Sequence, residues 1–415
     1  MKSGHKIRAS AMQFALLVSV IVALLLSAFL LFTHTYSSFS VRSDQVLRNI
    51  NASNKGIEYL AKADLQLTDS LEILIQEIPV LVKNSFWGCF QLAHSRGGSG
   101  STSFQKVALL GAGTGGEKIS LFLEDNLLPL VVAGNTRIEG DAFTSQDIIK
   151  PGSIAGHYYA GDQLVYGRRF ESPSELPELN PEWRFYVQNM LKFIPEAGAI
   201  VIGLEDRTNS FFNERQVIYQ EDKIEINESL SGNILIISLR EIEVTPFAKL
   251  DQVLLVAPKV LFRSGFRGNV HVIAEEAVLQ ENVKLNYPSS IVVSAKEEVE
   301  INPESSYKPK IEIGEHSVLE GNLVFLDASE ETNPKLDLLL AENSFVEGTI
   351  YCEGYTDIRG KVLGSLYTKY CVANRGGSLY INHIYNGRIL TNGMKQEMSG
   401  LVMDGQEKKV AAWLY

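Results

Sequence analysis

Five carboxylates in the C-terminal third, Glu320, Asp327, Glu347, Glu353 and Asp357, are the side chains of this 415-residue chain best suited to chemistry. They sit within short, strand-like segments. If those segments stack as successive turns of a coil, the acids would fall on an outer face. Enzymes that cleave polysaccharides place general acids and bases in that way. The same residue types also occupy solvated outward strand positions and turns. That is the reading adopted here: no catalytic residue is assigned, and the chain is not read as an enzyme.

Other chemical patterns are weaker. Gly111, Gly113 and Gly116 match G-x-G-x-x-G, but a phosphate loop needs a helix immediately after it. EKISLFLED follows instead, an alternating run that predicts a strand, so FQKVALLGAGTGGEKISLFLED (104–125) reads as two strands around a Gly-rich turn. The seven His (His5, His34, His94, His157, His271, His316, His383) stand at no metal-ligand spacing, and no cofactor or metal ligand is assigned. Cys352 and Cys371 could bridge in an oxidising compartment. If 348 and 364 begin adjacent turns, Cys352 stacks on Thr368, leaving Cys371 about 10 Å further on and beyond the ~7 Å Cα limit. Cys89 reads as a small buried hydrophobe. Tyr351, Tyr367 and Tyr380 share one place in three repeat copies and predict an outward stack, sheet-stabilising rather than sugar-binding.

Composition narrows the class. The chain is 45% hydrophobic and 21% charged, which excludes a disordered polymer, and three Cys exclude a disulfide scaffold. With 38 basic against 49 acidic residues the net charge is −11, the wrong sign for a nucleic-acid partner.

The elements that must position these residues begin with a membrane segment. Residues 12–32 carry no charge. At 1.5 Å per residue they span about 31 Å, the thickness of a hydrocarbon core. Lys2, Lys6 and Arg8 precede them without an acid, which predicts residues 1–11 as a cytoplasmic basic leader and everything after Phe32 as exterior. No small-x-small cleavage site follows, so an uncleaved anchor is expected. Residues 33–85 then predict a helical stalk. Val46, Ile50, Ile57, Leu60, Leu67, Leu71, Leu74 and Ile78 fall at helical spacings, Gly56 is a weak point, and Pro79 ends the pattern.

A short basic leader, a hydrophobic helix and an amphipathic continuation, with RASAM at 8–12 and NINASNKGI at 49–57, resemble the N-termini of minor pilins and pseudopilins. That resemblance implies a filament or secretion-system subunit. The segment departs from pilins in having no acid before Asp44.

The remainder repeats apolar-x-Gly-polar-apolar: IEGDAFT (138–144), LSGNILI (230–236), FRGNVHV (266–272), LEGNLVF (319–325), VEGTIYC (346–352) and VLGSLYT (362–368), with a shortened copy GGSLYI (376–381). Short alternating strands with Gly turns at irregular intervals predict a β-solenoid over 129–400 of ~12 rungs. Residues 86–128 predict a strand-and-loop region leading into it. Residues 171–197 predict an insertion, with a proline-rich loop and an amphipathic helix at 183–194 that caps or braces the coil. Residues 401–415 predict a C-terminal cap. IEIGEHSVLEGNLVF (311–325) and YTDIRGKVLGSLYT (355–368) loosely resemble bactofilin-like solenoid rungs. Residues 129–168 resemble a segment of uncharacterised single-pass membrane proteins of Bacteroidota, which implies a bacterial envelope protein and brings no activity.

The sequence therefore predicts a mainly β protein: a transmembrane helix, a helical stalk, then an irregular β-solenoid carrying one short helix. The expected role is a structural or interaction protein of the envelope, serving assembly, adhesion or partner binding. A pilin-like subunit and a carbohydrate-binding or carbohydrate-cleaving solenoid are the alternatives. The expected partners are the lipid bilayer through residues 12–32, other envelope proteins or a second copy, and a polysaccharide.

Overall fold

A computed structural model describes residues 9–63, 70–113, 119–145, 148–195, 200–295, 308–327, 334–395, 398–403 and 406–414. The chain is mainly strand, with one long N-terminal helix and a β-solenoid built from parallel strands.

The Gly motif explains the solenoid. In each of its six full copies the residues before the Gly lie on one face of the coil and those after it on the next. For the copy at 319–325, 318–320 pair with 345–347 on the first face, and 323–325 pair with 350–352 on the second. A third face stacks short aliphatic strands such as 311–313 on 338–340 and 338–340 on 356–358. The cross-section is thus three-sided. Leu319, Val346 and Val362 point inward on the first face, Leu323, Ile350 and Leu366 on the second, and Ile313, Leu340 and Ile358 on the third, all in one core. At the corner the coil is tight: a Cβ on Gly348 would lie 1.9 Å from the Gly321 carbonyl oxygen, and one on Gly364 would lie 2.0 Å from that of Gly348. Only glycine fits there. The seventh copy is different. Ser378–Ile381 turns back antiparallel on Lys361–Arg375 and pairs Tyr380 with Ala373, so it is no rung and Tyr380 leaves the Tyr column.

Stacking order departs from chain order. On the second face, pairing runs from 200–201 through 216–220, 234–238, 254–256, 271–274, 290–293, 322–326, 350–352 and 366–368. It then continues onto 121–123, 142–144 and 169–171. The N-terminal rungs therefore sit beyond the C-terminal ones. The solenoid begins at β5 (Ile119–Leu123), not at 129, and 171–197 is not an insertion between neighbouring rungs. It is a crossover that carries the chain from one end of the coil to the other. Its helix α2 (Pro181–Met190) is capped by Asn180, whose Oδ1 accepts the Trp183 N–H at 3.0 Å, with Pro181 in the first turn. Trp183, Val187 and Met190 are buried, whereas Ile194 lies past the helix end and is exposed.

α1 (Ala9–Lys62) is a single helix of 54 residues. It is long and apolar enough to cross a membrane. It does not reach 85. Beyond it, β1 (Leu71–Ile75) and β2 (Ile78–Trp87) form a hairpin, with Gln76 and Glu77 at positive φ making the turn and Pro79 opposite Leu74. Leu71, Leu74 and Ile78 keep helical spacing, but LEILI and IPVLV are rich in β-branched residues and the two-residue turn decides in favour of strands. Leu67 lies outside the described residues.

β2, β3 (Phe90–Gly97) and β4 (Phe104–Ala112) continue an antiparallel sheet whose fifth strand is Lys408–Leu414. The C-terminal segment is therefore a sheet edge and not an end cap. The core is instead covered at one end by Tyr159 and Leu164, and at the other by Ile202 and Leu204. The sheet has two covered faces. Ala52, Ile57 and Leu60 of α1 pack on Val80, Val82, Ala93, Ala108 and Leu110. Gly56, read as a weak point, is a close approach of helix and sheet: a Cβ there would meet Ser95 Oγ at 2.1 Å. The other face, with Trp87 and Phe90, packs with α2 on the outer side of the solenoid's second face at Leu254, Ile273, Val292 and Val324. Helix, sheet and coil are thus three bonded layers.

Candidate functional site

The five candidate carboxylates are distributed over the coil, each with a cationic partner. Glu320 and Glu347 are adjacent on the first face and share Lys395 at 3.3 and 3.5 Å. Asp327 meets Lys335 at 3.2 Å. Asp357 takes Arg359 at 2.6 Å and the Asn374 N–H at 3.3 Å. Glu353 receives Arg184 of α2 and the Asp327 N–H. Glu347 and Asp357 stand on different faces and do not converge. Most of these pairs hold a corner or loop to the next rung.

Glu353 opens onto a groove, about 650 Å³ in volume, between the crossover and the second face. Glu124, Glu175, Glu178, Arg184, Lys369, Tyr351 and the exposed Phe185 line it. Burial pushes the Glu124 carboxyl above the usual carboxylate range, against the pull of Lys369 and a backbone N–H from Leu176. The floor is fixed: Tyr351 Oη donates to the Pro177 carbonyl at 3.0 Å, and Arg184 ties α2 to the rung. Four acids, two cations and two aromatics make an acidic groove on a fixed base. Glu124, Glu175, Lys369 and Arg184 come from separate stretches of chain, and nothing local in the sequence marks them as neighbours.

Tyr351 pairs with Tyr367 as predicted, ring centroids 6.4 Å apart. The column continues through Phe122, Phe143 and Phe170 at 5.7, 5.5 and 4.8 Å. Both tyrosines are buried. The ladder is a sheet-stabilising stack. Comparison with protein-family models, with curated proteins and with solved structures found no match.

Gly111 lies inside β4, which ends at Ala112 in the antiparallel sheet, and β5 begins the solenoid, so the strands flanking this Gly-rich segment belong to different sheets. Residues 114–118 lie outside the described residues. Cys352 stacks on Thr368 as the register predicted, and Cys371 pairs with Thr356. All three cysteines are free and buried, and burial raises each thiol.

His271 is held by Ser290 at 2.9 Å and Gln252 at 3.1 Å in the solenoid–sheet interface. Burial lowers its pKa to about 3. His94 is lowered to about 4 by burial, then by Lys83 and Arg215. Both bind fewer protons folded than unfolded below the usual 6.5, so each withdraws stability as pH falls. Asp337 opposes them: burial raises it from 3.8 to about 6, so it adds stability as pH falls through that window. Each histidine withdraws about 1.4 kcal/mol per pH unit as pH falls from 6 towards its lowered pKa, the equivalent of one proton bound only on unfolding. Urea midpoints at pH 4.5 and 7 check this, and His271→Gln should flatten the slope.

Proposed function

We propose that the chain is a single-pass, membrane-anchored structural or interaction protein of the bacterial envelope, with its N-terminus cytoplasmic and its solenoid head outside. One observation carries this reading. α1 runs unbroken from an exposed apolar stretch into the antiparallel sheet, and that sheet is welded to the coil. The head meets the helix at Arg42, whose guanidinium donates to Ser101 Oγ at 3.2 Å, ten residues or about 15 Å beyond Phe32. A rigid post of this kind suits a part that presents a surface, and the acidic groove beside α2 is the surface offered. A strongly acidic head, −14 once Lys2, Lys6 and Arg8 are set aside (35 basic against 49 acidic), stays off an anionic lipid surface.

The same helix supports a second reading, a pilin-like subunit. No charge occurs between Ala9 and Val41, a stretch of about 50 Å against a hydrocarbon core of ~30 Å. Tyr36, Phe39 and Val41 are exposed beyond the span, as a helix packed inside a filament requires. Mass spectrometry of protein purified from membranes separates the two. Recovery of a peptide that spans residues 6–12 uncut supports the permanent anchor; a new N-terminus within 9–12 overturns it in favour of the subunit.

A further inference from the structure

Arg215 lies where β2, α2 and the first rungs meet. Its guanidinium stands 4.9 Å over the Trp87 ring. Its Nε is buried with no hydrogen-bond partner. Among the described residues no carboxylate acts on it appreciably; only Tyr186 does, and burial works against its charge. Tyr186 packs against Phe86, ring centroids 5.4 Å apart and planes tilted by 45°, one residue along from Trp87, and no side chain pairs with its buried hydroxyl. That hydroxyl faces the backbone N–H of Gly88. Other titratable groups around the junction are His94, which feels both Arg215 and Lys83, the Cys89 thiol, Glu182 one turn before Tyr186 on α2, and Glu214 beside Arg215 in the chain; neither carboxylate acts on Arg215 appreciably. Arg215 is half-buried, so its charge is only partly removed from water; that cost is met here by an aromatic face and not by a counter-charge.

We propose that Arg215 and the Tyr186 hydroxyl form the receptor for a small oxyanion, a carboxylate or a phosphate, seated at the junction of α2, the β2–β3 turn and the first rungs. Arginine suits both anions because its donors match two oxygens. Tyr186 supplies a further O–H, and Lys83 adds charge at the rim. An anion here would lock the crossover helix to both the sheet and the coil. This site is separate from the acidic groove and does not depend on the function proposed above.

The test is calorimetric titration of the full chain in detergent with sodium phosphate and, separately, sodium acetate, at constant ionic strength. Saturable binding of either is expected, and which one binds names the anion. Arg215→Gln should weaken it about tenfold or more. Tyr186→Phe, which keeps the ring against Phe86, should weaken it about threefold. Occupancy should also raise the His94 pKa, read by NMR, because the anion offsets Arg215. Absence of saturable binding to the wild type overturns the proposal, as does unchanged affinity in folded Arg215→Gln and Tyr186→Phe.

Discussion

Gly348→Ala should cost about 4 kcal/mol of stability, enough to remove much of a margin that is typically 5–15 kcal/mol. Two effects add. Gly348 has φ +143°, a region costing other residues about 1–3 kcal/mol. The added Cβ also meets the Gly321 carbonyl at 1.9 Å, and backbone in a stacked coil has nowhere to move, which costs about 1–3 kcal/mol more. Gly377→Ala provides the contrast. Gly377 belongs to the seventh copy of the motif, has φ +78° and has nothing within 4 Å of its Cβ position. It should lose only about 1 kcal/mol. Denaturant unfolding of the two variants measures the difference. Equal losses would mean that the corner is not where the motif matters.

Trp87→Ala should be comparably severe, about 3–5 kcal/mol. Trp87 is fully buried between sheet and coil. Its Nε1–H donates to the Gln252 carbonyl at 2.9 Å, and its ring meets Phe211 edge-on at 5.4 Å. The damage should be local. The solenoid keeps its inner core, while β2–β4 and α1 lose their attachment, so proteolysis should cut the antiparallel sheet first. Trp87→Phe retains most of the apolar contact, gives up the hydrogen bond, and should lose about 1–2 kcal/mol. A single cooperative transition in Trp87→Ala, with sheet and coil cleaved together, would show that the layers are not separable.

What the sequence revealed follows the range of the interactions. The corner motif was readable because one glycine and two inward aliphatics sit within six residues, and six of its copies mark the same corner. Cys352 on Thr368 followed from that register alone. The order of the rungs was not readable. Leu121 and Leu123 would fit any level of the coil, and their place beyond Leu366 is fixed only by the crossover at 171–197. The helix was overextended for a related reason: Leu71, Leu74 and Ile78 satisfy a period of 3.6, while their strand partners, Val82 for Leu71 and Gly97 for Val80, lie further along the chain. The acidic groove and the Arg215 junction assemble from segments far apart in sequence, so no local pattern announces them.

Labelling of a single introduced cysteine tests the anchored, outward-facing arrangement most directly. Native Cys89, Cys352 and Cys371 are buried, so they stay silent towards a maleimide while the protein is folded. Phe247 is 78% exposed on a turn of the coil. In intact spheroplasts a membrane-impermeant maleimide should label Phe247→Cys, and should label Ser3→Cys only after lysis. The reverse pattern, with Ser3→Cys labelled from outside and Phe247→Cys protected until lysis, would place the solenoid in the cytoplasm and contradict the account.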